Sequence, residues 1–161
     1  MPNPPETEFV GDCHCGAIRV ALHVRDGAAL SPRRCGCGFC RRHGGLYVST
    51  PDARLTVQVS DAAAVNRYQF GHRTAEFLVC RNCGVVPTVL STIDGHLYGI
   101  VNANVLDPPL QMAEPPPVAD YDAEEPAGRL ARRKERWIGD VTVVEGVEGV
   151  EGADGAGDVA G

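Results

Sequence analysis

Seven cysteines fall in three short clusters, Cys13-His14-Cys15, Cys35-Gly36-Cys37-Gly38-Phe39-Cys40 and Cys80-Arg81-Asn82-Cys83. Sulfurs this close along a chain can turn toward one cation, and Zn²⁺ accepts a tetrahedron of thiolates at about 2.3 Å each. Seven divides as four plus three. Four thiolates close a structural site, whereas three leave one position for water or substrate, which is the mark of catalytic zinc. The count therefore points to two zinc ions and to an enzyme. A disulfide framework fits less well. The number of cysteines is odd, and Met1 to Phe9 carries neither the basic start nor the apolar run of a secretion signal. Cysteines one residue apart also seldom reach unstrained disulfide geometry.

The simplest division gives one zinc to Cys13, Cys15, Cys80 and Cys83 and the other to Cys35, Cys37 and Cys40. Spacing alone leaves open a crossed assignment, in which Cys35 or Cys37 completes the four-sulfur site. A loop rather than a strand must carry Cys35 to Cys40, and Gly36 and Gly38 favour it by permitting conformations a Cβ forbids. Gly16 and Gly84, each just after a cysteine, serve the other clusters in the same way.

The elements that must hold these clusters are mainly β. Ile18, Val20, Leu22 and Val24 alternate with Arg19, Ala21, His23 and Arg25, and Leu55, Val57 and Val59 repeat the period of a half-buried strand. Val85 to Ile93 and His96 to Val101 flank Asp94-Gly95, a hairpin turn dipeptide. A C-terminal helix is expected, with Ala127, Leu130, Ala131, Trp137 and Ile138 on its apolar face and Arg132, Arg133, Lys134 and Arg136 suiting its carboxyl end. The Pro-rich stretch from Asp107 to Val118 suits an extended connector over the surface.

At 161 residues the folded part reads as one domain, residues 9–143, between a disordered start at 1–8 and a disordered acidic Val-Glu-Gly tail at 144–161. A net charge of -6 disfavours nucleic acid. No apolar run approaches the roughly 18 residues of a membrane span, and a cytoplasmic location is expected.

Gly11-Asp12-Cys13-His14-Cys15-Gly16-Ala17, Cys35 to Cys40, Phe77-Leu78-Val79-Cys80-Arg81-Asn82-Cys83-Gly84 and Val101-Asn102-Ala103-Asn104-Val105-Leu106-Asp107 together resemble the glutathione-dependent formaldehyde-activating enzyme family, also called centromere protein V-like. The resemblance implies a β-tent of the Mss4-like superfamily, a structural zinc on Cys13, Cys15, Cys80 and Cys83, and a catalytic zinc on Cys35, Cys37 and Cys40. It further implies carbon-sulfur lyase chemistry, the reversible joining of glutathione to formaldehyde as S-(hydroxymethyl)glutathione. The same chemistry on another thiol or aldehyde, and a binding module with two structural metals, are the competing readings. An incomplete tetrahedron has little use in the latter.

Near the catalytic cluster lie Arg33, Arg34, Arg41 and Arg42, a basic island whose guanidinium groups suit the carboxylates of glutathione. His43 is the proton-transfer candidate, since free imidazole titrates near 6.5. Asn102 and Asn104 could donate to substrate or cap a strand in a turn. His14 is expected to point outward from a filled tetrahedron, and Trp137 to anchor the helix in the core.

Overall fold

The computed structural model describes residues 2–146. In chain order the elements are β1 (Glu6–Asp12), β2 (Ile18–Arg25), β3 (Arg33–Cys35), α1 (Gly38–His43), β4 (Leu46–Val48), β5 (Arg54–Val59), β6 (Val65–Tyr68), β7 (Glu76–Cys80), β8 (Thr88–Ile93), β9 (His96–Asn102), β10 (Val118–Ala119), α2 (Pro126–Arg136) and β11 (Asp140–Glu145). They form a four-stranded sheet in the order β1-β2-β5-β11 and a seven-stranded sheet in the order β10-β3-β4-β9-β8-β7-β6. This is the mainly β, Mss4-like β-tent that the family resemblance implied.

Alternation explains how the layers separate. In the four-stranded sheet Ile18, Val20, Leu22, Leu55, Val57 and Val59 turn inward, as the period of two requires. They meet Leu46, Val48, Leu78, Leu90 and Val101 from the facing strands of the larger sheet. The residues between these, Tyr47, Phe77, Val89 and Ile100, point to the opposite face and build a second cluster with Cys40, Val86 and Trp137. The middle of the larger sheet is thus buried on both sides, and each side carries its own cysteines: Cys13, Cys15 and Cys80 pack with the inter-sheet core, Cys35, Cys37 and Cys40 with the outer cluster.

The expected hairpin forms between β8 and β9, with Asp94 at φ 51° and Gly95 at φ 77° in the left-handed turn. Polar side chains buried in β8 are satisfied: Thr88 Oγ1 donates to the Ile100 carbonyl at 2.7 Å and Ser91 Oγ to the Thr74 carbonyl at 2.6 Å. The Pro-rich stretch is a connector that ends in β10, paired in parallel with β3.

Two expectations about the ends change. Glu6, Thr7 and Glu8, placed in the loose start at 1–8, pair with Arg25, Val24 and His23, and Glu6 receives a 2.8 Å hydrogen bond from Arg54. Val144 and Glu145, assigned to the tail at 144–161, extend β11 along β5, and Glu145 meets Arg67 at 3.0 Å. Backbone pairing recruits residues whose composition alone would leave them loose. Met1 and residues 147–161 of the expected tail lie outside the described residues.

The helix α2 is the main departure. Ala127 and Ala131 are exposed, and Trp137 and Ile138, both buried, follow the helix rather than belong to it. The face turned to the protein is Arg129, Leu130, Arg132 and Arg133, at positions three and four apart. Ile138 then exchanges 3.0 Å backbone hydrogen bonds with Gly99, which moors the end of α2 to β9.

Where β1 crosses the loop after β9, the chain tolerates no side chain at Gly11: a Cβ there would overlap the Val105 carbonyl and stand 2.9 Å from Leu106 Cα. Gly11→Ala should therefore lower stability by about 2–4 kcal/mol, read from urea unfolding midpoints. Gly128→Ala in α2 should act oppositely and gain roughly 0.5–1 kcal/mol, because its Cβ would meet only Glu124 Cγ at 3.8 Å.

Candidate active site

Cys13 and Cys15 lie in the turn between β1 and β2, and Cys80 and Cys83 in the knuckle that ends β7. Their four sulfurs all lie within 4.8 Å of one another, with Cys13 to Cys15 at 3.7 Å and Cys15 to Cys80 at 3.4 Å. A tetrahedron of bonds near 2.3 Å has edges of about 3.8 Å, so the set is close to the size a single ion needs. Gly16 and Gly84 adopt φ of 82° and 80°, the left-handed backbone that turns the chain back after each cysteine pair. Backbone N–H groups point at the sulfurs, Ile18 to Cys13 at 3.3 Å and Cys83 to Cys80 at 3.5 Å, and these donors favour thiolate. Desolvation of the buried site pushes the Cys13 thiol up, which resists a bare thiolate and makes a cation its natural partner. His14 is exposed, as expected beside a filled set of ligands.

Cys35, Cys37 and Cys40 converge on the other face of the larger sheet, again within 4.8 Å of one another. The crossed assignment does not arise, because the sheet separates the two groups. Cys35 closes β3, Cys37 caps the start of α1, and Cys40 sits in its first turn with its N–H 3.4 Å from the Cys37 sulfur. Gly36 and Gly38 contribute by small size rather than by unusual φ: a Cβ would lie 3.1 Å from Val118 Cγ1 and 3.1 Å from Arg42 Nη1, respectively. Cys35 is pushed down to about 6 by its hydrogen bond with Cys40, and the same bond, with burial, pushes Cys40 up. Tyr47, buried beneath, places its hydroxyl 3.3 Å from the Cys40 sulfur.

These three cysteines line a cavity of about 360 Å³. Tyr47, Phe77, Val89, Ile100 and Trp137 are its apolar lining, and Phe39 packs, tilted or edge-on, against Tyr68 and against the lining residues Phe70 and Phe77, with ring centroids 4.8–5.4 Å apart. Basic residues line the cavity as well: Arg33 from β3, and Arg129, Arg132 and Arg133 from α2, with Arg133 over the Trp137 ring. Arg132 makes a paired contact with Glu124, at 3.0 Å from both Nε and Nη2, and lies 3.6 Å over the Tyr121 ring. Arg129 donates to the Tyr121 carbonyl at 2.7 Å and lies 3.8 Å from the same Glu124. Burial, with Arg132 and Arg129 alongside, pushes Arg133 down to about 10, so it stays cationic at neutral pH.

The residues expected to contact substrate do not all reach this cavity. Of the arginines read from sequence, Arg33 lines the cavity, whereas Arg34, Arg41 and Arg42 are exposed and outside its wall. Arg41 and Arg42 complete the last turn of α1, where Arg42 folds back to the Gly38 carbonyl at 2.8 Å, and they complement the helix dipole. Asn102 is buried with its amide fully engaged: Nδ2 donates to the Val86 carbonyl at 3.0 Å, and Oδ1 accepts from Leu46 and Asn104 N–H groups at 3.3 and 3.2 Å. Asn104 donates to the Gly44 carbonyl at 2.6 Å. Both asparagines brace β4 and the end of α1, and neither is among the residues lining the cavity. His43, its pKa lowered by burial, lies outside the wall and connects to Cys40 only through Tyr47, 3.4 Å from its Nε2.

The residues that sequence reasoning missed are Arg129, Arg132 and Arg133. Their i, i+3, i+4 spacing was a visible signal, but it reads equally well as the basic end of a helix. Tyr47 and Tyr121 carried no signal at all.

The sequence pattern of the glutathione-dependent formaldehyde-activating enzyme family matches residues 8–121. The chain belongs to that family. Among solved structures it is similar to a Rhodobacter sphaeroides protein, a structural genomics target, at 32% identity and a TM-score of 0.51, covering 68% of this chain and 99% of that one. The family match includes all seven cysteines and Arg33 and stops before α2, so Arg129, Arg132 and Arg133 lie beyond it.

Cys80→Ser should lower the thermal midpoint sharply or prevent folding, because it opens the four-sulfur group inside the main core. Cys37→Ser should leave circular dichroism and melting nearly unchanged. Elemental analysis during graded chelation should show one metal ion leaving well before the other, since three thiolates hold less firmly than four. Simultaneous loss of both would contradict the division.

Proposed function

We propose that this member of the family is a zinc-dependent carbon-sulfur lyase that adds a thiol to an aldehyde and reverses the addition, with glutathione and formaldehyde giving S-(hydroxymethyl)glutathione. The observation that carries the reading is a three-cysteine group, short of a tetrahedron, opening on a cavity large enough for a small molecule and walled by arginines. Zinc held by Cys35, Cys37 and Cys40 would keep a substrate thiol as thiolate near neutral pH. Zinc on Cys13, Cys15, Cys80 and Cys83 is closed and structural in this reading.

The protein's own groups do the rest. Three thiolates outweigh one divalent ion, and the guanidinium groups of Arg33, Arg129, Arg132 and Arg133 offset the excess negative charge. Tyr47 fixes the Cys40 sulfur, and the apolar side made by Phe77, Val89, Ile100 and Trp137 thins the water around the reacting carbon. In the forward direction the thiolate sulfur bonds to the aldehyde carbon, the carbonyl pair moves to oxygen, and that oxygen takes a proton. His43 serves this only at a remove, through Tyr47. Seven unpaired cysteines suit a reducing compartment, so we place the protein in the cytoplasm; no helix among the described residues is long and apolar enough to cross a membrane.

Exchange between formaldehyde and its glutathione adduct, followed by NMR, should accelerate on adding the protein and return to the uncatalysed rate with Cys37→Ser. Arg33→Ala should raise the KM for glutathione by roughly tenfold, the scale of one charge-assisted hydrogen bond. Arg41→Ala with Arg42→Ala should leave it unchanged. No acceleration with any thiol and aldehyde by a metal-loaded, folded protein would instead favour a binding module.

A further inference from the structure

Among the described residues, the buried side-chain N–H groups without a hydrogen-bond partner are Nε of Arg129, Nε of Arg133 and Nε1 of Trp137. All three residues stand in the wall of the cysteine cavity. Arg129 Nε still faces Glu124 Oε1 at 3.8 Å, beyond hydrogen-bond length, whereas Arg133 Nε and Trp137 Nε1 face no acceptor of the described residues. Buried donors are nearly always paired, so these two orphans mark a place where an acceptor from outside the chain completes the set.

Charge narrows the acceptor. Arg129 and Arg132 share Glu124, whereas Arg133, only 6% exposed, has no carboxylate within ion-pair distance among the described residues. Its hydrogen bonds, to the Thr74 carbonyl at 3.1 Å, Thr74 Oγ1 at 2.8 Å and Ser91 Oγ at 3.3 Å, all leave from Nη1. These hold the guanidinium against Thr74 and β8 while its Nε stays free, and the Trp137 ring lies under it at 4.9 Å. A buried cation of this kind calls for a counter-charge. Asp122 also lines the cavity and would repel a dianion, so one negative charge is the better match. A carboxylate supplies that single charge and two acceptor oxygens, and no donor that would compete with the waiting N–H groups.

We propose that Arg133 and Trp137, with Arg129 beside them, form a carboxylate-binding subsite in the wall of the cavity. The proposal rests on the reading that this cavity takes the substrate, and it means that the substrate is an acid selected by α2. Two sources share that chemistry: a carboxylate of the thiol, as in glutathione, or one borne by the aldehyde, as in an oxo acid.

Trp137 is the sole tryptophan of the chain, so its fluorescence reports on this wall directly. The full-length, metal-loaded protein is titrated with S-methylglutathione, whose blocked sulfur presents no thiolate, and separately with glyoxylate; the diethyl ester of the first, which masks both of its carboxylates, and the ethyl ester of the second serve as controls. At least one acid should change the emission saturably while its ester does not, and which acid does so identifies the source. Arg133→Gln should weaken that binding roughly ten- to a hundredfold. If circular dichroism shows that Arg133→Gln does not fold, Trp137→Phe, read by calorimetry, keeps a ring and removes the N–H, and should weaken binding several-fold. Equal binding of acids and esters, no response to either acid, or undiminished affinity in a folded variant would overturn the subsite. The reaction is judged apart from it: equal exchange rates with acid and ester substrates would sink the subsite and leave the lyase, and acid binding without exchange would do the reverse.

Discussion

Burial of the seven-stranded sheet on both faces is the constraint from which the rest of the molecule follows. Tyr47, Phe77, Val89 and Ile100 alternate with Leu46, Val48, Leu78, Leu90 and Val101, so one set of strands feeds two apolar clusters. Such strands form only if something covers each side, because their period of two puts apolar groups on both. The four-stranded sheet covers one face. The other is covered by α1, by Trp137 at the end of α2, and by the aromatic group around Phe39.

The two cysteine groups inherit opposite characters from that arrangement. Cys13, Cys15 and Cys80 belong to the core between the sheets, where four sulfurs tie the β1–β2 turn to the end of β7. A closed set of ligands deep in the packing is a structural staple. Cys35, Cys37 and Cys40 lie where the cover is incomplete, between a short strand and a short helix, and the gap is the cavity. Incomplete cover leaves room for an exchangeable ligand beside cysteines that the sheet still holds rigidly.

Three of the four arginines that line the cavity come from a distant part of the chain. The arginines next to the cluster in sequence, Arg41 and Arg42, stabilise the end of a six-residue helix and face solvent. Beside Arg33, those that line the cavity arrive on α2, about ninety residues later, held by Glu124, Tyr121, Thr74 and Ser91. Proximity along the chain was a poor guide to proximity in space because α1 is too short to present more than one face to the site.

The sequence by itself determined the three cysteine clusters, the strand alternation of β2 and β5, the Asp94-Gly95 turn and the family, while the sheet between the clusters decided how the cysteines divide. Each of the sequence features rests on local spacing: two or three residues between thiols, two between inward side chains, a dipeptide that accepts positive φ. The resemblance also implied the β-tent. What only tertiary structure decided is which residues surround the cavity. Asn102 and Asn104 turned out to be braces because their amides find backbone partners across β4 and α1. Of the apolar face expected of α2 only Leu130 turns to the protein within the helix, beside Arg129, Arg132 and Arg133, because the helix packs along a cavity rather than on a core. The start of β1 and the end of β11 gained order from backbone pairing with β2 and β5, which no composition predicts. Arg133 became a buried cation through contacts 42 and 59 residues away in sequence, a distance over which no spacing rule reaches.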